Sequence, residues 1–333
     1  MKTSKWYEFV DGVNARVNEI IEETKDLAPS WEGLAIYKKV MACGQYNTEG
    51  VVGLGEAEVF AEGGRIKYDE MYPAYRTEYT TSQRGKATTI TQKMMFAQTN
   101  EFSDQIDKVR SLRYSVNRNL TQNFWAILND GFGTTDSSAN RPINRLGDGV
   151  AMFSASHPSL VPGVAVRSNI ISGTGSGVYS GVNPTMNETS LFEAIAQLGE
   201  TKNGRGEQIN YDGGIVLVVP KRLEKLAKEI TLSTKRSDTS NNDMNYYTGG
   251  TVDIISTNYL GAANSGSDTA WYVMASPGAA ENAVGIRYVE CISPKIEAEK
   301  DFDTKSMKIS VDADAGFGYS NWEYMLASTG LEA

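Results

Sequence analysis

Apolar residues return at steps of three and four in two long stretches and at steps of two in a third. Over residues 4–27, Trp6, Phe9, Val10, Val13, Val17, Ile20, Ile21 and Leu27 mark one face of a helix that Pro29 ends. The pattern is clearest over residues 101–130. There Phe102, Ile106, Val109, Leu112, Val116, Leu120, Phe124 and Ile127 form a single stripe, Ser103 is placed to cap the start, and Gly131 and Gly133 follow the end. Thirty helical residues span roughly 45 Å, long for a compact domain. Near the C-terminus, Met307, Ile309, Val311 and Ala313 alternate with Lys308, Ser310 and Asp312, which predicts a strand with one buried and one wet face. Residues 282–299 predict its partner strand, joined to it through the turn DFDTKS. Between these blocks lie smaller elements. Helices are expected at 187–199 and 221–232, the second opened by Pro220 in the favoured first-turn place. The continuous run IVLVV at 215–219 predicts a strand buried on both faces, with short strands at 252–255 and 270–275. Residues 233–250 are polar and loop-like.

Residues 51–93 have a different texture. The stretch is rich in Thr, Tyr, Glu and Lys, good strand formers among them, and from residue 56 its β-branched aliphatic anchors are Val59, Ile66 and Ile90. It predicts a long polar β-hairpin with little core of its own. An isolated two-stranded ribbon is marginal in water, so this one needs a partner surface. Four tyrosines, Tyr68, Tyr72, Tyr75 and Tyr79, combine apolar area with a hydrogen-bonding tip, as interface residues do. Arg65, Lys67, Arg76 and Arg84 intersperse with acidic residues along it. These eight, with Trp6 and Phe9 of the N-terminal helix, are the expected inter-subunit contact residues.

Bulk composition narrows the function more than it identifies it. The 333 residues are 40% hydrophobic and 22% charged, a globular balance. Net charge is −9 and no dense Lys/Arg cluster occurs, which argues against a dedicated nucleic-acid or anionic-membrane binder. No run of about 18 apolar residues is present. Cys43 and Cys291 form no CxxC motif, and two free thiols of a cytoplasmic protein are expected. Catalytic chemistry is sparse. The single histidine, His157 in FSASHPS, has serine neighbours but no GxSxG elbow, and is read as a structural loop residue. GVVGLGEAEVF matches neither a dinucleotide fingerprint nor a phosphate loop. DADAG at 312–316 lacks the glycine that a calcium loop requires at its sixth position and continues a strand instead. No catalytic residue, metal ligand or cofactor is expected.

The order of these parts resembles the major capsid proteins of tailed bacteriophages, of the Hong Kong 97-like fold. GGRIKYDEMYPAYRTEYTTSQRGKATTITQKM looks like that family's extended loop running into the spine helix, and LTQNFWAILNDGF like the helix end. AMFSASHPS looks like the stretch that follows it. NETSLFEAIAQL, then GGIVLVVPKRLEKLAKEI, then NNDMNYYTGGTVDIISTNYL and WYVMA look like the axial domain. The matches cover roughly residues 55–320 and have a Mu-like major head subunit character. The resemblance implies an α+β chain: N-terminal arm 1–50, extended β-hairpin loop 51–93, peripheral domain 94–188 with a long spine helix at 101–130, axial domain 189–283 and returning peripheral strands 284–333. It implies a non-enzymatic subunit that self-assembles as hexamers and pentamers into an icosahedral shell around double-stranded DNA, without sequence-specific binding. Residues 234–249 would then face a local five- or six-fold axis. Further implied partners are a portal, a decoration protein and a separate scaffolding protein, because only about 50 residues precede the ribbon where many relatives carry a long scaffolding segment. Lys67 and Lys86 lie in the ribbon, but no crosslinking partner matches the family pattern. The implied location is the virion, after assembly in the host bacterial cytoplasm. Competing readings are an encapsulin-type shell protein, a tail or baseplate protein, and a hydrolase built on His157.

Overall fold

The computed structural model describes residues 31, 34, 36–39, 43–48, 51–52, 54–66, 68–91, 101–173, 181–209, 213–234, 245, 247, 252–276, 285–301 and 303–331. The expected helix at 4–27 and nearly all of the 234–249 loop lie outside these residues. In chain order the strands are β1 (Ile36–Lys39), β2 (Gln45–Thr48), β3 (Val51–Val52), β4 (Tyr72–Pro73), β5 (Thr77–Thr80), β6 (Ser82–Thr91), β7 (Ile143–Asn144), β8 (Ser172–Gly173), β9 (Gly181–Val182), β10 (Ile215–Pro220), β11 (Val252–Thr257), β12 (Trp271–Ala275), β13 (Ile286–Asp301), β14 (Ser306–Tyr319) and β15 (Met325–Ser328). Among the described residues, the helices of five residues or more are α1 (Glu101–Asn129), α2 (Glu188–Gly199) and α3 (Glu224–Leu232).

One sheet has the order β1-β13-β14-β6, with β7 paired to the far end of β14. The long α1 lies against it as one unbroken helix, as the apolar stripe predicted. Leu112, Val116, Leu120, Phe124 and Ile127 are buried there with Val311, Ala313, Ala315 and Phe317 of β14. Trp31, from a segment with no strong sequence pattern, closes this core. Its ring stacks on Phe124 at 5.3 Å and meets Tyr288 and Phe317 at 5.0 and 5.4 Å. The stretch expected to be arm therefore enters the body from Trp31 onward: β1 pairs in parallel with β13, from Ile36↔Arg287 to Lys39↔Glu290. Leu120→Ala leaves a cavity beneath β14 and is expected to cost about 2–5 kcal/mol, read from the midpoint of denaturant unfolding.

The second sheet has the order β11-β10-β12-β15. It explains the IVLVV run. Val216 and Val218 face the core that α1 shares, while Leu217 and Val219 face a second core with α2 and α3. A sheet covered on both faces needs apolar residues at every position, so alternation disappears. Asn187 caps α2, its side chain accepting from Ser190 N at 2.8 Å while Ser190 Oγ accepts from Asn187 N at 2.9 Å. Pro220 ends β10 rather than opening the next helix, which starts at Glu224.

Two further expectations change. β14 runs five residues past Asp314, where the alternation of buried and wet positions stops. Its far end is covered on both faces. Added Cβ atoms at Gly316 and Gly318 would lie 2.6 Å from Thr80 O and 2.3 Å from Asn144 O, so only glycine admits those backbones. Cys43 and Cys291 are not free thiols. They form a disulfide with Cα atoms 5.4 Å apart, because the β1–β13 register delivers both to the same sheet edge. Their separation of 248 residues hides this from any reading of spacing.

Candidate inter-subunit interface

The ribbon is rooted in the body and bare at its tip. β2 and β5 pair antiparallel from Gln45↔Thr80 to Thr48↔Thr77, and β3 pairs with β4 through Val51↔Pro73 and Val52↔Tyr72. The stem thus begins earlier than residue 51. It also ends earlier than residue 93, because β6 belongs to the main sheet and pairs with β14 along its whole length. Thr77 and Tyr79 point inward from β5, and Thr77 Oγ1 donates to Tyr319 O at 3.0 Å. Beyond the stem, the described residues from 54 to 71 form no strand. Val59 and Tyr68 are fully exposed, Ile66 and Met71 are about 70% exposed, and Leu54 and Phe60 are more than half exposed.

Among the described residues, this bare loop meets its own subunit around Arg205. Arg205, on a turn after α2, lies 2.9 Å from Asp69 Oδ2, donates to Glu70 O, and stands over the Tyr72 ring at 5.6 Å. Gly55 N donates to Asp69 Oδ2 at 2.7 Å, and Glu56 N donates to Glu207 Oε1 at 3.0 Å. The Gly55 amide first, and then Arg205, hold the Asp69 carboxyl below its ordinary pKa. These contacts are polar, with the Asp69 side chain 42% and the Arg205 side chain 13% exposed, and they set the direction of the loop.

The ten expected contact residues separate accordingly. Arg65 and Tyr68 are exposed on the tip; Tyr72 is half-buried under Arg205. Tyr75 is half-buried against the main core, and exposed Arg76 lies 3.9 Å from Glu78. Tyr79 is a correction: it is fully buried, 6.1 Å from the Tyr46 ring, and has no surface to offer a neighbour. Arg84 is half-buried: its guanidinium donates to Ser82 O and Ala315 O at 3.0 and 2.6 Å, and burial lowers its pKa. Lys67, Trp6 and Phe9 lie outside the described residues. Sequence reasoning missed Leu54, Phe60 and Met71, whose signal is an apolar residue in an otherwise polar run. It also missed Arg205, which carries no local signal.

His157 is fully buried, and its geometry is not that of a hydrolase. Nδ1 lies 2.9 Å from Asp148 Oδ2 and Nε2 lies 3.2 Å from Asn169 Oδ1. The ring stacks on Trp322 at 3.9 Å. Both nitrogens are engaged, and neither faces a serine hydroxyl. The DADAG run lies inside β14 rather than in a loop.

Comparison with known proteins places this architecture. A search of curated sequences returns no match. Among solved structures, a chain of Mycobacterium phage Patience matches at TM-score 0.54 and 11% identity, covering 97% of this chain and 86% of that one. The capsid of cyanophage P-SCSP1u matches at TM-score 0.51 and 11% identity, with 90% and 87% covered. The capsid of a native GTA particle matches at TM-score 0.51 and 8% identity, with 90% and 88% covered. Identities this low carry the fold, which is that of Hong Kong 97-like phage capsids. The family itself comes from a family model, described as phage capsid protein, that matches residues 74–328. The chain therefore belongs to the phage capsid protein family.

Proposed function

We propose that the subunit closes its shell through the ribbon, with residues 54–71 lying on a neighbouring copy. The observation that carries this reading is the exposed apolar set Leu54, Val59, Phe60, Ile66, Tyr68 and Met71 at the end of a rooted stem. Apolar side chains in a strandless loop are costly in water and stabilising against a partner. Arg65 and Lys67 flank them and would set register, while Trp6 and Phe9 would add contacts from the arm. In this reading α1 is the spine, residues 94–188 and 284–333 form the peripheral domain, 189–283 the axial domain, and 234–249 meet around a local axis. Hexamers and pentamers assemble in the host bacterial cytoplasm with a separate scaffolding protein, a portal and a decoration protein. The shell encloses double-stranded DNA, and the net charge of −9 suits a wall that does not grip its contents. The role is structural rather than enzymatic, consistent with both His157 nitrogens being occupied. Electron microscopy of the purified protein, with and without a co-expressed scaffolding protein, tests it. Closed shells are the expected result. Tubes, rings alone or persistent monomers under both conditions would overturn it.

A further inference from the structure

The disulfide stands at a mechanically significant point. β1 follows β13 as far as Lys39↔Glu290, and Cys291 is the extra residue at an irregularity of β13 between Glu290 and Ile292. Cys43 directly precedes Gly44. The Gly44 amide donates to Thr81 Oγ1 at 3.3 Å, and Thr81 N donates to Gly44 O at 3.2 Å. One residue further on, β2 opens the ribbon stem. The bond therefore sits where the chain leaves the main sheet for the ribbon. The returning strand β5 continues through Thr81 into β6 and is part of that sheet by covalent continuity. The outgoing strand β2 pairs with β5 and follows β1 of the same sheet after residues 40–44, and Cys43–Cys291 is a direct crosslink across that junction. With the bond open, the outgoing leg is tied to the sheet by the chain from β1 and by the Gly44–Thr81 hydrogen bonds. With it closed, a covalent bond to β13 pins the junction itself.

We propose that Cys43–Cys291 is a redox-controlled modification site: a staple that is open while the subunit assembles and closed once the particle meets an oxidising medium, fixing the angle at which the ribbon leaves the body. This rests on the proposed assembly in a bacterial cytoplasm, where thiols are kept reduced. The oxidant is a low-molecular-weight disulfide. The Cys43 thiol loses its proton and attacks one sulfur of the reagent, giving a mixed disulfide and one free thiol. The Cys291 thiolate then displaces the second reagent thiol and forms the protein disulfide. Two protein thiols are oxidised, one reagent disulfide is reduced to two thiols, and the leaving thiolates take up the two protons. Exposure supports this order. Cys43 is exposed and meets the reagent, whereas Cys291 is half-buried and resolves the intermediate. A rival use exists for the same atoms. The two sulfurs and a carboxylate oxygen of Asp314 lie within 4.8 Å of one another, close enough for the reduced trio to hold a cation.

The test uses the wild-type chain. Cells are lysed into N-ethylmaleimide, and the thiol state of subunits and shells is read by mass spectrometry before and after treatment with oxidised glutathione. Both cysteines are expected to be alkylated at first. After treatment, the Cys43 and Cys291 peptides should be linked within one chain, and thermal disruption of the shells should shift upward by about 5–10 °C and return with a reductant. A Cys43→Ser/Cys291→Ser variant should form shells in wild-type yield and lack the shift. The proposal is overturned by a bond already present before assembly, by thiols that stay alkylatable after oxidised glutathione, by a transition indifferent to oxidation, or by one zinc ion per chain retained by the reduced protein. If the wild-type chain forms no shells, the assembly reading fails separately. The staple is then judged on the free subunit, where the bond must appear with oxidised glutathione and not before.

Discussion

Replacing residues 56–71 with a short Gly/Ser turn is expected to leave a folded, soluble subunit and to abolish shell formation. The geometry permits the excision. Val52 and Tyr72 are paired neighbours at the top of the stem, so a tight turn can rejoin the strands without moving them. What is removed touches the body through polar contacts centred on Asp69, Glu70 and Glu56, with the Arg205 side chain partly buried. Unfolding of the subunit should therefore change by about 1–2 kcal/mol, small beside the loss of a core residue. What is lost in assembly is larger. Val59, Phe60, Ile66, Tyr68 and Met71 would each gain about 1.5–3 kcal/mol on full burial, less the cost of ordering the loop. Every subunit loses this contribution, so closed particles should disappear from micrographs and sedimentation profiles. A longer excision, over residues 60–85, is a different experiment. It removes Thr77 and Tyr79 from the core and the first four residues of β6 from the sheet, and is expected to unfold the chain. A subunit that unfolds when only 56–71 is cut, or that still closes into shells, refutes the role given to the tip.

The contrast between those deletions shows where sequence patterns stop being informative. Periodicity found α1, because one helix face packs on one sheet and the stripe records it directly. It found the first half of β14 for the same reason. It lost the second half, because burial on both faces erases the alternation, and the glycines there admit backbones contributed by residues 80 and 144. Residues 82–91 have the same polar composition as the loop before them. Their ten registered pairs with β14 come from long-range pairing that composition does not encode. Tyr79 illustrates the cost of arguing from residue type. A tyrosine in a polar run suits an interface, but Tyr79 lies on the inward side of a four-residue strand and is core. Tyr68, eleven positions earlier in the same run, is fully exposed. Cys43, Cys291 and Arg205 each act across more than a hundred residues, a distance at which a single sequence carries no pairing signal.

Asp148→Ala is expected to be among the most damaging single changes outside the apolar core, at about 3–5 kcal/mol of subunit stability. Asp148 and His157 side chains are each 1% exposed, and their 2.9 Å contact is enclosed on every side. The Asn169 amide is locked: its Nδ2 donates to Met152 O at 2.8 Å and its Oδ1 receives Ser154 N at 2.8 Å. Its oxygen therefore faces His157 Nε2, and both ring nitrogens point at acceptors. Removing the carboxylate leaves Nδ1 buried beside a void with no partner, which carries the full desolvation penalty. The backbone of His157 is tied to Arg167 in both directions, at 2.7 and 3.0 Å, and Arg167 in turn pairs with Glu323 and stands over Trp322. Loosening the imidazole thus loosens the joint between the 148–169 loops and the segment between β14 and β15. His157→Phe keeps a ring for Trp322 to stack on but strands the Asp148 carboxylate, so it should cost a similar amount. The double variant Asp148→Leu/His157→Phe leaves neither polar partner buried alone and is expected to recover at least 1 kcal/mol relative to the sum of the singles. Denaturant titration of the free subunit measures all three, and shell yield should follow the same order. A loss below about 1 kcal/mol for Asp148→Ala, or strict additivity in the double variant, would show that the chain's only histidine is not the structural clasp described here.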